Sequence, residues 1–216
     1  MSRVVGGAAP GRPARPVSGG RAGFQLLGLL VTLVAAGILL SVAAPPLVQW
    51  TGRLRARAAA GEVAGALRLA RSEAAKRGAR VGLKFRVAAD GAVSFTLHRD
   101  GDGDGLSTRD IDSGVDPALA APRRLEHLGA DVRFGFPPGP APRDPGDPSR
   151  RLDRLDDPIR FNLSDIASFD PLGTSTPGSV YLTDSRRHLM AVRLFGRTGK
   201  VKILAYDAEA ETWRRE

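Results

Sequence analysis

The 216-residue chain contains no cysteine, which excludes a disulfide framework, a thiol nucleophile and a thiolate metal site. Histidine is almost as scarce. His98, His127 and His188 stand far apart, in no metal-binding spacing, and each reads as a surface or edge residue. Acid is missing from the first quarter of the chain: the first carboxylate is Glu62, while Arg3, Arg12, Arg15 and Arg21 make residues 1–23 purely basic. Those four arginines supply nearly half of the net charge of +9, so a high pI does not by itself point to a nucleic-acid partner. No phosphate loop, dinucleotide fingerprint, nucleophile elbow or paired catalytic carboxylate occurs, and no enzymatic chemistry is expected.

What is present begins with an apolar run. From Ala22 to Gly52 there is no charged residue and no histidine, and about 20 such residues suffice for a helix to cross a bilayer. The reading is a transmembrane or filament-core helix over 24–50, preceded by a basic leader over 1–23 that would stay cytoplasmic; Arg53, Arg55 and Arg57 on the far side oppose that orientation. A cleaved secretory signal is the rival, with Ser41-Val42-Ala43 as its small-residue site. Against it, the run from Phe24 to Leu40 exceeds the usual h-region of about 7–15 residues, and Pro45-Pro46 crowds the site. Those prolines predict a kink or local unwinding, since proline lacks the N–H that a continuing helix uses.

The stretch Arg21-Ala22-Gly23-Phe24-Gln25-Leu26-Leu27-Gly28 resembles the leader junction of prepilins. The resemblance implies cleavage after Gly23 by a dedicated prepilin peptidase and methylation of the new amine at Phe24. It also exposes a departure: family members usually carry glutamate five residues into the mature chain, where Gly28 stands here, and some tip-located minor pseudopilins share that loss.

Beyond the run, Ala56, Ala60, Val63, Leu67, Ala70 and Ala74 recur at spacings of three and four and predict a helix over about 53–78 with one thin, alanine-rich buried stripe. Glu73 and Arg77 are spaced for a surface pair, and Gly78 is suited to stop the helix. The phrase from Leu67 to Gly78, LRLARSEAAKRG, resembles the hallmark of the GspH/FimT family of pseudopilins and minor pilins. That family implies an α+β, pilin-like head over 51–216, with the long amino-terminal helix packed on an antiparallel sheet.

Strand patterns follow over about 81–206: Val81 to Val87 and Ala92 to His98 around an Asp90-Gly91 turn, then Val132 to Phe136, Ile159 to Leu163, Ser179 to Thr183, Leu189 to Phe195 and Val201 to Tyr206. Residues 137–148 hold six prolines and read as an exposed loop.

Two constellations carry candidate chemistry. Asp100, Asp102 and Asp104 alternate with glycines like the start of a calcium loop, but the twelfth position, where a bidentate glutamate belongs, is Ile111. A solvated acidic turn competes with calcium there; apart from calcium no cofactor is expected. The basic carboxy-terminal region, Arg197, Lys200, Arg214 and Arg215 in particular, would suit the phosphates of DNA, as the resemblance to DNA-binding FimT-type minor pilins implies. A solvated face balanced by Asp184, Asp207, Glu209, Glu211 and Glu216 is the competing account. The sequence therefore points to a single-pass inner-membrane subunit whose head lies in the periplasm or on the filament exterior. Its partners would be other pilins or pseudopilins. The filament is either a type II secretion pseudopilus or a type IV pilus that takes up DNA.

Overall fold

The computed structural model describes residues 21–88 and 91–216, with side chains of the first helix described over 26–39 and from Trp50 onward. Most of the expected leader, and Asp90 of the expected hairpin turn, lie outside the described residues. The chain divides into two compact units, Met1–Leu47 and Val48–Glu216.

In the first unit the helix α1, Arg21–Arg77, is already formed. Every large apolar residue from Leu26 to Leu39 is more than half exposed, so this segment is apolar all round instead of along one stripe. Among the described residues no helix is long and apolar enough to cross a membrane. The helix continues without interruption through Pro45-Pro46, so the expected unwinding is absent; the division between the two units falls one residue beyond those prolines, after Leu47.

The second unit, the head, is built around the remainder of α1. Ala56, Ala60, Val63, Leu67, Ala70 and Ala74, the stripe expected from spacing, are all fully buried. Gly78 ends the helix with φ of 62°, a conformation that glycine adopts without a Cβ penalty.

The strands form two antiparallel sheets instead of one. In the first, β1 (Val81–Val87) pairs with β2 (Val93–Arg99) and with β6 (Ile166–Phe169), and β2 pairs with β3 (Arg123–Arg124). In the second, the order is β10 (Thr212–Arg215), β9 (Lys200–Asp207), β8 (Leu189–Phe195), β7 (Gly178–Thr183) and β4 (Arg133–Phe134), with β5 (Ile159–Arg160) also on β7. Alternate residues of both sheets join the α1 stripe in a single apolar core. At its centre the Phe85 ring lies 5.9 Å from Phe95 and from Phe161, and 6.0 Å from Phe134, separations at which aromatic pairs add to simple burial.

Several local expectations change. The expected strand over Ile159 to Leu163 stops at Arg160, and Leu163 is 99 % exposed. The short elements β3, β6, β10 and the helix α2 (Thr108–Ser113) were not legible, because runs of two to six residues carry too little periodicity. The proline-rich segment is not simply exposed. Pro142 is buried, and Trp213 Nε1 donates to the Arg143 carbonyl at 2.6 Å, so the segment crosses the outer face of the second sheet over Tyr181, Tyr206 and Trp213.

Candidate functional site

The Gly23–Phe24 junction falls in the first turn of α1; its side chains lie outside the described ones. Arg53 and Arg57, where α1 enters the head, both pair with Glu216, at 3.0 and 3.2 Å, and Arg55 pairs with Asp131 at 3.2 Å. The arginine cluster that seemed to oppose the membrane orientation is thus partly neutralised by the fold.

The acidic loop leaves β2 and lies back over the first sheet. Asp100 is 5 % exposed, and its two oxygens accept Gly103 N–H at 2.7 Å and Gly105 N–H at 3.1 Å. Asp116, fully buried, accepts Gly101 N–H and Ser107 N–H. These two carboxylates order the loop through its backbone. Ser107 caps α2 by accepting Asp110 N–H at 3.1 Å, and Lys84, buried in β1, donates to Thr108 Oγ1 and the Ser164 carbonyl. Asp100, Asp102 and Asp104 do converge, with one ligand atom of each within 4.8 Å of the others. The hydrogen bond from Asp102, together with its charge, pushes the Asp104 carboxyl above the ordinary range, as crowding of like charges requires. Ile111, at the twelfth position, is buried, so the loop offers three convergent carboxylates to a cation but no bidentate closing ligand.

The basic residues near the carboxy terminus are not one patch. Arg197 and Lys200 flank the β8–β9 turn, exposed and without an ion pair among the described residues. Arg193 and Lys202, neighbours in register, both lie over the Phe195 ring at 5.2 and 4.8 Å. Arg214 pairs with Asp207 at 2.8 Å, and Arg214 and Arg215 stand opposite Ala205 and Leu204, near the other end of β9 from Lys200. The four residues expected to act together therefore split into two pairs.

A further constellation was not foreseen. Asp184, only 2 % exposed, accepts N–H bonds from Arg186, Arg187 and His188 through Oδ1, and its Oδ2 lies 2.7 Å from His188 Nδ1. Burial raises the carboxyl, but these hydrogen bonds outweigh it and hold Asp184 below its usual range. A methyl group added at Gly52 would meet Asp184 Oδ2 at 2.5 Å: α1 and the β7–β8 turn touch where only glycine fits. The expected balancing surface acid is thus a buried turn-former. His98 is buried as well, its Nδ1 3.0 Å from the Asp116 carbonyl, whereas His127 is exposed beside Glu62. The spacing Asp-Ser-Arg-Arg-His was the available signal, since a short acid can bond the backbone two to four residues on.

A buried alanine stripe, two antiparallel sheets and a glycine stop describe the fold, and a family model described as type II transport protein GspH matches residues 59–196. The chain belongs to the GspH family. No curated protein and no solved structure matches it. The matched span opens in the buried half of α1 and closes at the end of β8, so the β9–β10 ribbon with Arg214 and Arg215 lies beyond it. The GspH family is structural and not enzymatic, so membership suggests a pseudopilin role in type II secretion and association with other pseudopilins.

Proposed function

We propose that this chain is a minor pseudopilin, an assembly subunit of a type II secretion pseudopilus. The observation that carries the reading is the first part of α1, where every large apolar residue from Leu26 to Leu39 is more than half exposed. A helix apolar on all sides needs lipid or other apolar helices around it. In the uncharged sequence from Ala22 to Gly52 it suits first an inner-membrane span and then the core of a filament, with the head on the periplasmic side. A prepilin peptidase removes residues 1–23 and Phe24 becomes the methylated terminus. Mass spectrometry of the natural amino terminus tests this: Phe24 carrying one methyl group is expected, and Gly23→Ala retains the leader. A terminus at Ala44 or Met1 defeats the reading.

A FimT-like minor pilin of a type IV pilus that binds DNA is the second reading. It is favoured by Arg197 and Lys200, cations without an acid partner among the described residues, and weakened by the Arg214–Asp207 pair.

A further inference from the structure

The uncharged run ends at Gly52, and just beyond it the head gathers arginines from three elements. Trp50, Arg53, Leu54 and Arg57 follow one another at spacings of three and four, so they share one face of α1. On that face Trp50 is 73 % exposed and Leu54 59 %. Arg53 and Arg57 both engage Glu216 yet keep more than half of their side chains in water. On the opposite face, Gly52 meets Asp184 of the β7–β8 turn, and Arg55 pairs with Asp131, just before β4.

That turn supplies Arg186 and Arg187, both exposed. Their backbone N–H groups bond Asp184 Oδ1 at 3.0 Å, which leaves the guanidinium groups outside the turn. Arg133, exposed on β4, lies opposite Thr183 where the same turn begins, and Ser185 Oγ ties the turn to the Asp131 carbonyl at 2.6 Å. Arginines therefore stand on both sides of α1 where it enters the head. Asp131 and Glu216 answer those of the helix, and Asp184 is spent on the turn itself. Asp207 and Glu209 share an open groove with Arg53 and Arg187, but Arg214 already holds Asp207 at 2.8 Å. Arg133, Arg186 and Arg187 are in no ion pair among the described residues.

We propose that this collar binds the phosphate headgroups of anionic phospholipids at the bilayer surface from which the head emerges. Guanidinium groups suit phosphate oxygens because they donate two parallel hydrogen bonds, and two observations choose lipid over another polyanion. Trp50 and Leu54 are exposed apolar side chains on the same helix face as Arg53 and Arg57, and tryptophan favours the headgroup level, where its ring is sheltered and its N–H is wet. The collar also follows directly on the uncharged run, so it comes to headgroup depth whenever that run lies in a bilayer. Duplex DNA would meet the same guanidinium groups but leave Trp50 and Leu54 in water. Arginines on the translocated side run against the positive-inside tendency, and a phosphate partner gives them a use there. The inference rests on the membrane-inserted reading and adds to it the class of lipid that the head recognises.

For the test, the full chain is reconstituted in phosphatidylcholine liposomes holding a trace of spin-labelled phosphatidylglycerol or spin-labelled phosphatidylcholine. Electron paramagnetic resonance reads the fraction of each lipid that the protein immobilises. Phosphatidylglycerol is expected to associate about fivefold more strongly, the worth of about one arginine beside a lipid anion, and the preference shrinks at about 500 mM salt. Arg186→Gln with Arg187→Gln keeps the backbone bonds to Asp184, and hence the melting temperature, but lowers the ratio to about two or less. Arg186→Lys with Arg187→Lys restores most of it, whereas Arg197→Gln with Lys200→Gln, at the other end of β8, leaves it unchanged. Equal association of the two lipids, insensitivity to salt, or a ratio that survives the glutamines at 186 and 187 overturns the proposal. The leader arginines are common to every variant, so a preference that they alone cause shows itself as such survival. Duplex DNA binding that is lost in the same double variant, without any lipid preference, also overturns it. A chain that floats with the liposomes but shows no preference overturns the collar alone, whereas a chain that does not float overturns the membrane-inserted reading with it.

Discussion

Asp184 illustrates how one side chain organises a junction: its carboxylate fixes the β7–β8 turn by three N–H bonds and packs against Gly52 of α1. Asp184→Ala leaves those donors without an acceptor and is expected to cost on the order of 2–3 kcal/mol, read as a lower urea midpoint of the full chain in detergent. Because the folded carboxyl is held below its usual value, its contribution is present above the unfolded pKa of about 3.9 and is lost as pH falls through the folded one. Melting temperature should therefore drop below about pH 4 in the native chain, and Asp184→Asn should remove that part of the drop. Gly52→Ala should destabilise comparably, for reasons of space and not charge. For Asp100, Asp102 and Asp104 the expectation is weak calcium binding, since the closing ligand is Ile111. Titration calorimetry that gives no heat, with no melting shift, at millimolar calcium returns the loop to a hydrated acidic turn.

Helix α1 changes character along its length, and the change is one of partners rather than of backbone. In the head, alanines at 56, 59, 60, 64, 70 and 74 are fully buried or nearly so, which lets the sheets approach closely but leaves no slack. Ala60→Leu is expected to cost about 1–3 kcal/mol through overpacking, while Ala58→Leu, on the exposed side, should be nearly neutral; urea midpoints of the two variants compare them directly. The proline-rich strap is a second element whose role depends on partners. Arg143 and Arg151 both pair with Glu211 in the β9–β10 turn, and Trp213 Nε1 bonds to Arg143. Glu211→Gln should raise amide exchange across residues 141–152 without unfolding the sheet, because the pairs are partly solvated and worth little to global stability.

For the whole molecule the open question is what the basic turn meets. If it meets DNA, the full chain should bind duplexes of unrelated sequence alike, because phosphate contacts carry no base information, with about 0.9 in salt slope per phosphate neutralised. Arg197→Ala with Lys200→Ala should then lower affinity and slope together at unchanged melting temperature, and Arg214→Ala should matter less, since Asp207 already engages it. Under the pseudopilus reading such binding is absent or survives the double replacement.

The helix stripe, the Glu73–Arg77 pair, the Gly78 stop and the long strands were legible in the sequence because each is a local consequence of spacing or of glycine's backbone freedom. The apolar run and the family hallmark were equally local, and the hallmark was enough to point to the GspH family. What tertiary structure decided is of another kind. Two sheets rather than one, the burial of His98 and Asp184, the strap over Trp213 and the separation of Arg197 and Lys200 from Arg214 and Arg215 all depend on residues far apart in the chain. Side-chain period reports which face is apolar, but the partner of a polar group is chosen only when the sheets close around α1.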